Sequence, residues 1–163
     1  MSIFRAYSAD SGLVSIGSTS ATPMFYIAPS ATGDCNLVKF KVSVEGVSSP
    51  APPSNGSVFF SLNKVTGSKG GGSAVTPSPT GQSTLAATTV FSSGSTALTG
   101  LTQSTEYWGG PVPFTAGAAW SDDFENTGLE INIPASGTYC VYFIAASGAG
   151  SGCSARCILW FAE

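Results

Sequence analysis

The sequence predicts an all-β fold: an antiparallel β-sandwich of jelly-roll-like form, with about eight short strands joined by long Gly/Ser/Pro loops. Three observations carry this expectation. Apolar residues recur at every second position in several segments. Glycine (20) and proline (10), with much serine and threonine, favour turns over helices. No long stretch carries an apolar stripe at helical spacing. At 163 residues the chain is long enough to bury a sizeable core as a single domain, 1–163.

The clearest strand is 37–45, LVKFKVSVE, which sets Val38, Phe40, Val42 and Val44 on one face and Lys39, Lys41, Ser43 and Glu45 on the other. Segment 57–65 alternates Val58, Phe60 and Leu62 against Phe59, Ser61 and Asn63. Segment 128–133 turns Leu129, Ile131 and Ile133 inward, with Glu130 and Asn132 outward. Two later runs, 138–145 (TYCVYFIA) and 155–162 (ARCILWFA), are apolar on both faces. That pattern belongs to a strand covered on both sides, by the sandwich or by a neighbouring subunit. Shorter strands are expected at 3–8, 23–28 and 85–91. Turn-rich stretches lie between, at 48–56, 67–81 and 92–104. Stretch 67–81 joins a glycine run at 70–72 to Pro77 and Pro79, and reads as a long flexible loop. Residues 1–12 read as an N-terminal arm.

Charge is scarce. Asp, Glu, Lys and Arg make up 9% of the chain, against roughly 25% in an average soluble domain, and histidine is absent. The net charge is −3, and the six basic residues (Arg5, Lys39, Lys41, Lys64, Lys69, Arg156) form no cluster. Phosphate tracking needs several cations on one face, so no nucleic-acid partner is expected. No run approaches the roughly 20 apolar residues of a membrane helix, so no membrane partner is expected either. The N-terminus reads without an export signal, so synthesis in a host cytoplasm is expected. A surface of Ser, Thr, Gly and Ala desolvates cheaply against a neighbour and points to a component of an assembly rather than an enzyme.

Few motifs carry chemistry. Cys35, Cys140, Cys153 and Cys157 allow three pairings of two disulfides. Cys153 and Cys157 also resemble half a zinc site, but no histidine completes one. Free buried thiols are the preferred reading for a chain folded in a cytoplasm. Asp122, Asp123 and Glu125 cluster in WSDDFEN, beside Trp120 and Phe124. Paired acids near aromatics suit a glycosidase or a calcium site, yet no second cluster supports either, and an acidic turn is the simpler reading. No Gly-x-Ser-x-Gly elbow or histidine base supports nucleophilic catalysis. No catalytic residue, cofactor or metal is therefore expected. Tyr107 and Trp108 in YWGGP, with Trp120, read either as a packed corner or as a sugar-stacking platform. In the second case Tyr107, Trp108, Trp120, Asp122 and Asp123 would form the ligand-binding set.

The order of segments is similar to that of head decoration or minor capsid proteins of tailed bacteriophages. It runs from FRAYSADSG through MFYIAPSATGDCNLVKFKVSVEG, FFSLNKVTG and AVTPSPTGQSTLAATTVFSSG to GLEINIPASGTYCVYFIAASGAG and a final WFAE. The resemblance implies a jelly-roll-like sandwich on the surface of a virion capsid. It also implies a homo-oligomer, a trimer, that binds major capsid protein and reinforces contacts between its subunits. From the residues themselves, the N-terminal segment and the 67–81 loop are the expected grip: Phe4, Arg5, Tyr7, Lys69, Pro77 and Pro79. The alternative function is a carbohydrate- or host-binding module of a phage tail or fibre.

Overall fold

The computed structural model describes residues 6–16, 21–47, 57–80, 86–113, 117–124, 130–145 and 153–163, with backbone alone for 46, 47, 57 and 139–145. Every regular element among them is a strand. In order these are β1 (Ala6–Asp10), β2 (Val14–Ile16), β3 (Thr22–Ala28), β4 (Cys35–Val47), β5 (Ser57–Thr66), β6 (Gly70–Gly71), β7 (Ser73–Val75) and β8 (Ser78–Pro79). They continue with β9 (Thr89–Ser92), β10 (Leu98–Thr99), β11 (Thr102–Pro113), β12 (Ala119–Asp123), β13 (Ile131–Ile133), β14 (Tyr139–Ala145) and β15 (Cys153–Ala162). The all-β expectation holds.

Two sheets carry the fold. Sheet A runs β12-β4-β15-β1-β8, with β13 also on β4 and β2 also on β15. Sheet B runs β11-β5-β14-β3-β9-β7. All pairs are antiparallel, and one set of them is nested in sequence, while β4–β15 and β5–β14 join alternate members of that set. β1 lies on β15, β3 on β14, β4 on β12 and β13, and β5 on β11. A single long hairpin, folded over on itself, gives this pairing.

Alternation explains which side of each strand is buried. On β15, Cys153, Ala155, Cys157, Leu159 and Phe161 are buried, while the residues between them are half-buried. The run expected to be covered on both faces is thus dry on one face, and Ile158 and Trp160 stand partly open on the other. On β4 the inward set is Cys35, Leu37, Phe40, Val42 and Val44. Val38 does not share the dry face as expected. The register with β15 shifts between Leu37 and Lys39, so Val38 is an extra residue and the inward parity changes across it. Its carbonyl accepts from Phe124 N at 2.7 Å.

The core joins both sheets. Phe40 and Trp120 of sheet A meet Phe60 and Trp108 of sheet B, with Phe124 alongside. Trp108 and Trp120 stack with ring centroids 3.8 Å apart and 21° between planes. These rings close the sandwich where β11 and β12 face each other.

The described parts of the expected N-terminal arm and of the expected flexible loop, residues 6–12 and 67–80, are built into the sheets. Tyr7 is fully buried on β1 and stacks on Phe161 at 5.5 Å, because β1 lies between β15 and β8 in sheet A. Within 67–81, β6 pairs with β10, β7 with β9, and β8 with β1, so the described part is a strap tied to both sheets rather than a flexible loop. The glycine run serves close approach there. Gly71 (φ 60°) and Gly72 (φ 76°) take left-handed conformations. A Cβ on them would meet the Ala97 carbonyl at 2.1 Å and Leu98 Cδ2 at 2.5 Å.

Candidate functional site

The predicted contact residues are spread through the structure. Phe4 and Arg5 lie outside the described residues. Tyr7 is core, as shown above, and Pro77 is buried. Pro79 is the register partner of Tyr7, which fixes it to the sheet edge. The Lys69 ammonium sits 3.8 Å from the centroid of the Phe91 ring and donates to the Gly71 carbonyl at 2.8 Å. Of this set, Tyr7, Pro77 and Pro79 are structural, because the segments that were to reach outward supply strand edges instead.

The alternative ligand set also divides. Trp108 and Trp120 are half-buried against the core and stack on each other, which covers one face of each ring. Tyr107 is 49% exposed, at the point where the β11 register shifts between Glu106 and Trp108. Asp122 and Asp123 lie on β12 rather than in a loop. Asp123 binds Lys39 at 2.8 Å, while Asp122 is in register with inward-facing Phe40. Neighbouring strand residues project to opposite faces, so the two carboxylates do not converge on one site.

Three thiols are free and buried: Cys35, Cys153 and Cys157. Burial pushes Cys35 up to about 12, partly offset by a hydrogen bond with Thr88, and raises Cys153 and Cys157 as well. They are protonated, unreactive hydrophobes at neutral pH. Among the described residues no group of three His, Cys, Asp or Glu side chains could hold a metal ion.

Two outward surfaces remain. On sheet A, Ile158 and Trp160 run down the middle strand. Around them stand Asp10, Lys39, Lys41, Glu45, Asp123 and Arg156, six of the chain's fifteen charged residues. The register sets Trp160 between Ser8 and Lys39, and Ile158 between Asp10 and Lys41. The Lys39 ammonium lies 5.7 Å from the Trp160 ring centroid. Arg156 Nε donates to both Asp10 oxygens, at 3.0 and 3.1 Å. This hydrogen bond with Arg156, aided by one from Gly12 N, holds the Asp10 carboxyl below the usual carboxylate range against the cost of partial burial.

On sheet B, β5 and β11 enclose an open groove of about 420 Å³ lined by Phe59, Ser61, Glu106, Gly109 and Pro111, with Phe60 and Gly110. Its shape comes from adjacent glycines with opposite duties. A Cβ on Gly110 would strike the Trp120 ring at 2.5 Å, on the core side. A Cβ on Gly109 would come within 3.0 Å of Glu106 Oε1 and of Ser61 Cβ, on the groove side. Sequence reasoning missed this groove. The outward placing of Phe59 and Ser61 was visible in the alternation, but the β5–β11 register that brings Glu106 and Gly109 to them was not.

No family model matches the sequence, and no curated protein aligns with it at a significant level.

Proposed function

We propose that the chain is a non-enzymatic virion structural protein, a jelly roll that decorates a capsid and bridges its major subunits as a homo-oligomer. The nested strand pairing supports the jelly-roll form, in which the first long strand lies on the last and each inner pair repeats the arrangement.

The observation that carries the assembly reading is the outer face of sheet A. An apolar strip, Ile158 and Trp160, is bordered by three cations and three carboxylates. Apolar centre and polar border are the anatomy of a protein contact. The balance of charge makes the face complementary to a copy of itself, and four of the six charges are already paired within the chain, which lowers their cost of desolvation. Many such joints acting together over a shell would resist pressure far more strongly than one alone.

Cryo-EM of the native particle tests this reading. Density for the chain on the outside of the shell, across joints between major subunits, is expected. Purified particles that lack the chain would overturn it.

A further inference from the structure

The groove on sheet B holds a second, independent feature: a buried hydroxyl with a proton to give. Gln103 Nε2 donates to Asn63 Oδ1 at 2.7 Å, and Asn63 Nδ2 donates to Ser61 Oγ at 2.6 Å. Asn63 is fully buried and Ser61 is 4% exposed. The chain of donors ends at Ser61, whose own O–H has no acceptor among the described residues. Each bond polarises the next, so this terminal hydroxyl is a strengthened donor. A buried donor without a partner is costly, and the groove is where Ser61 can find one.

Around that hydroxyl the groove offers three further groups of different kinds. The Phe59 ring is 47% exposed, and its register partner is Pro111, so two flat apolar rings lie side by side across the strand pair. Glu106 Oε1 lies over the Gly109 floor. Among the described residues Glu106 has no ion-pair partner, and it is the one ionisable side chain in the lining.

We propose that this groove binds a neutral saccharide ring. A sugar ring has an apolar C–H face to lay on Phe59 and hydroxyls that both accept and donate. One hydroxyl would accept from Ser61, and another would donate to the Glu106 carboxylate in a charge-assisted bond. An acidic sugar would be repelled by Glu106, with no cation in the lining to offset it. An ammonium ligand would satisfy Glu106 but has no acceptor for Ser61, and one exposed aromatic ring does not make a cage for it. The inference uses residues outside the aromatic and acidic set singled out in the sequence, and it does not depend on the chain's place in a virion.

Saturation-transfer NMR on the full chain tests the proposal. The probes are glucose, galactose, N-acetylglucosamine, maltose and lactose at millimolar concentration, with glucuronate and choline as contrasting arms. Transfer to at least one neutral sugar is expected, with none to glucuronate or choline. Phe59→Ala should abolish the transfer, and Glu106→Gln and Ser61→Ala should each weaken binding by about tenfold. Phe59 and Glu106 are exposed, so those variants keep the fold, and the far-ultraviolet spectrum confirms it for all three. Silence from every neutral sugar overturns the proposal. So does binding that survives Phe59→Ala, or a preference for choline.

Discussion

The outer faces of the two sheets differ in how they meet water. On sheet A, six charged side chains surround Ile158 and Trp160, and two ion pairs, Lys39–Asp123 and Arg156–Asp10, tie neighbouring strands together. Around the β5–β11 groove of sheet B, Glu106 alone is ionisable, and the surface is shaped by a missing side chain at Gly109. One face is filled and electrically balanced, while the other is hollow and, among the described residues, holds a hydroxyl donor without an acceptor and a carboxylate without an ion-pair partner. A filled, balanced face suits a large, flat protein partner. A hollow with polar groups of both kinds suits a small polyhydroxylated ligand. A chain with 9% charged residues has few to place, so their gathering on one face marks that face.

Both faces rest on the same interior, and the largest effects should come from there. Trp120→Ala removes the ring that stacks on Trp108 and touches Phe60, and should cost about 3–5 kcal/mol in denaturant unfolding. Phe59→Ala should change stability by about 1 kcal/mol or less, since the ring is about half exposed. Ile158→Lys, at a half-buried position, should cost more than that and less than Trp120→Ala. If Phe59→Ala cost as much as Trp120→Ala, the groove would be part of the core and the contrast between faces would fail.

The paired glycines sharpen the comparison. Gly110→Ala pushes a methyl group into Trp120 and should destabilise by about 1–3 kcal/mol. Gly109→Ala meets the Phe60 carbonyl at 2.9 Å on an edge strand that can shift, and should cost less. Equal costs would show that the outer face is as tightly packed as the inner one.

The charges of sheet A give a smaller effect, confined to acid. Asp10 has a folded-state pKa below its unfolded value of 3.8, because Arg156 and Gly12 favour the carboxylate. Its contribution is therefore present above that unfolded value and is lost as pH falls through the folded one. The pair is about half exposed, so the amount is about 1 kcal/mol or less and shrinks with added salt. Asp10→Asn should flatten the acid limb of the stability profile by that amount, as read from unfolding midpoints between neutral pH and pH ~3. No change in that limb would mean the pair contributes nothing. Smallest of all is the effect of reductant: with Cys35, Cys153 and Cys157 free, the unfolding midpoint should be the same with and without it.

Period-two alternation made β4 and β5 legible in the sequence, because one side of each is lined by apolar residues that pack in the core, while β15 was legible as a continuous apolar run. Alternation failed in three places, each for a physical reason. The extra residue Val38 reverses the inward parity of β4, and no local pattern marks such a residue. Strand β11, twelve residues long, was divided between a turn-rich stretch and an aromatic loop, because it is an edge strand with two register shifts, Gly109, Gly110 and two prolines. Those same features protect an open edge against pairing with another chain. The strap at 67–80 looked like a linker, since its glycines were read as freedom when they are there for close approach. The groove was partly legible: Phe59 and Ser61 alternate outward in the sequence, but Glu106 and Gly109 join them only through the register of β5 with β11.

The central claim is that the outer face of sheet A is the one through which copies of the chain associate. Light scattering at micromolar concentration on the wild type, Ile158→Lys and Phe59→Lys tests it most directly. An oligomer is expected for the wild type and for Phe59→Lys, and a folded monomer for Ile158→Lys. A well-folded wild-type monomer, or an oligomer that Phe59→Lys breaks and Ile158→Lys does not, would contradict it.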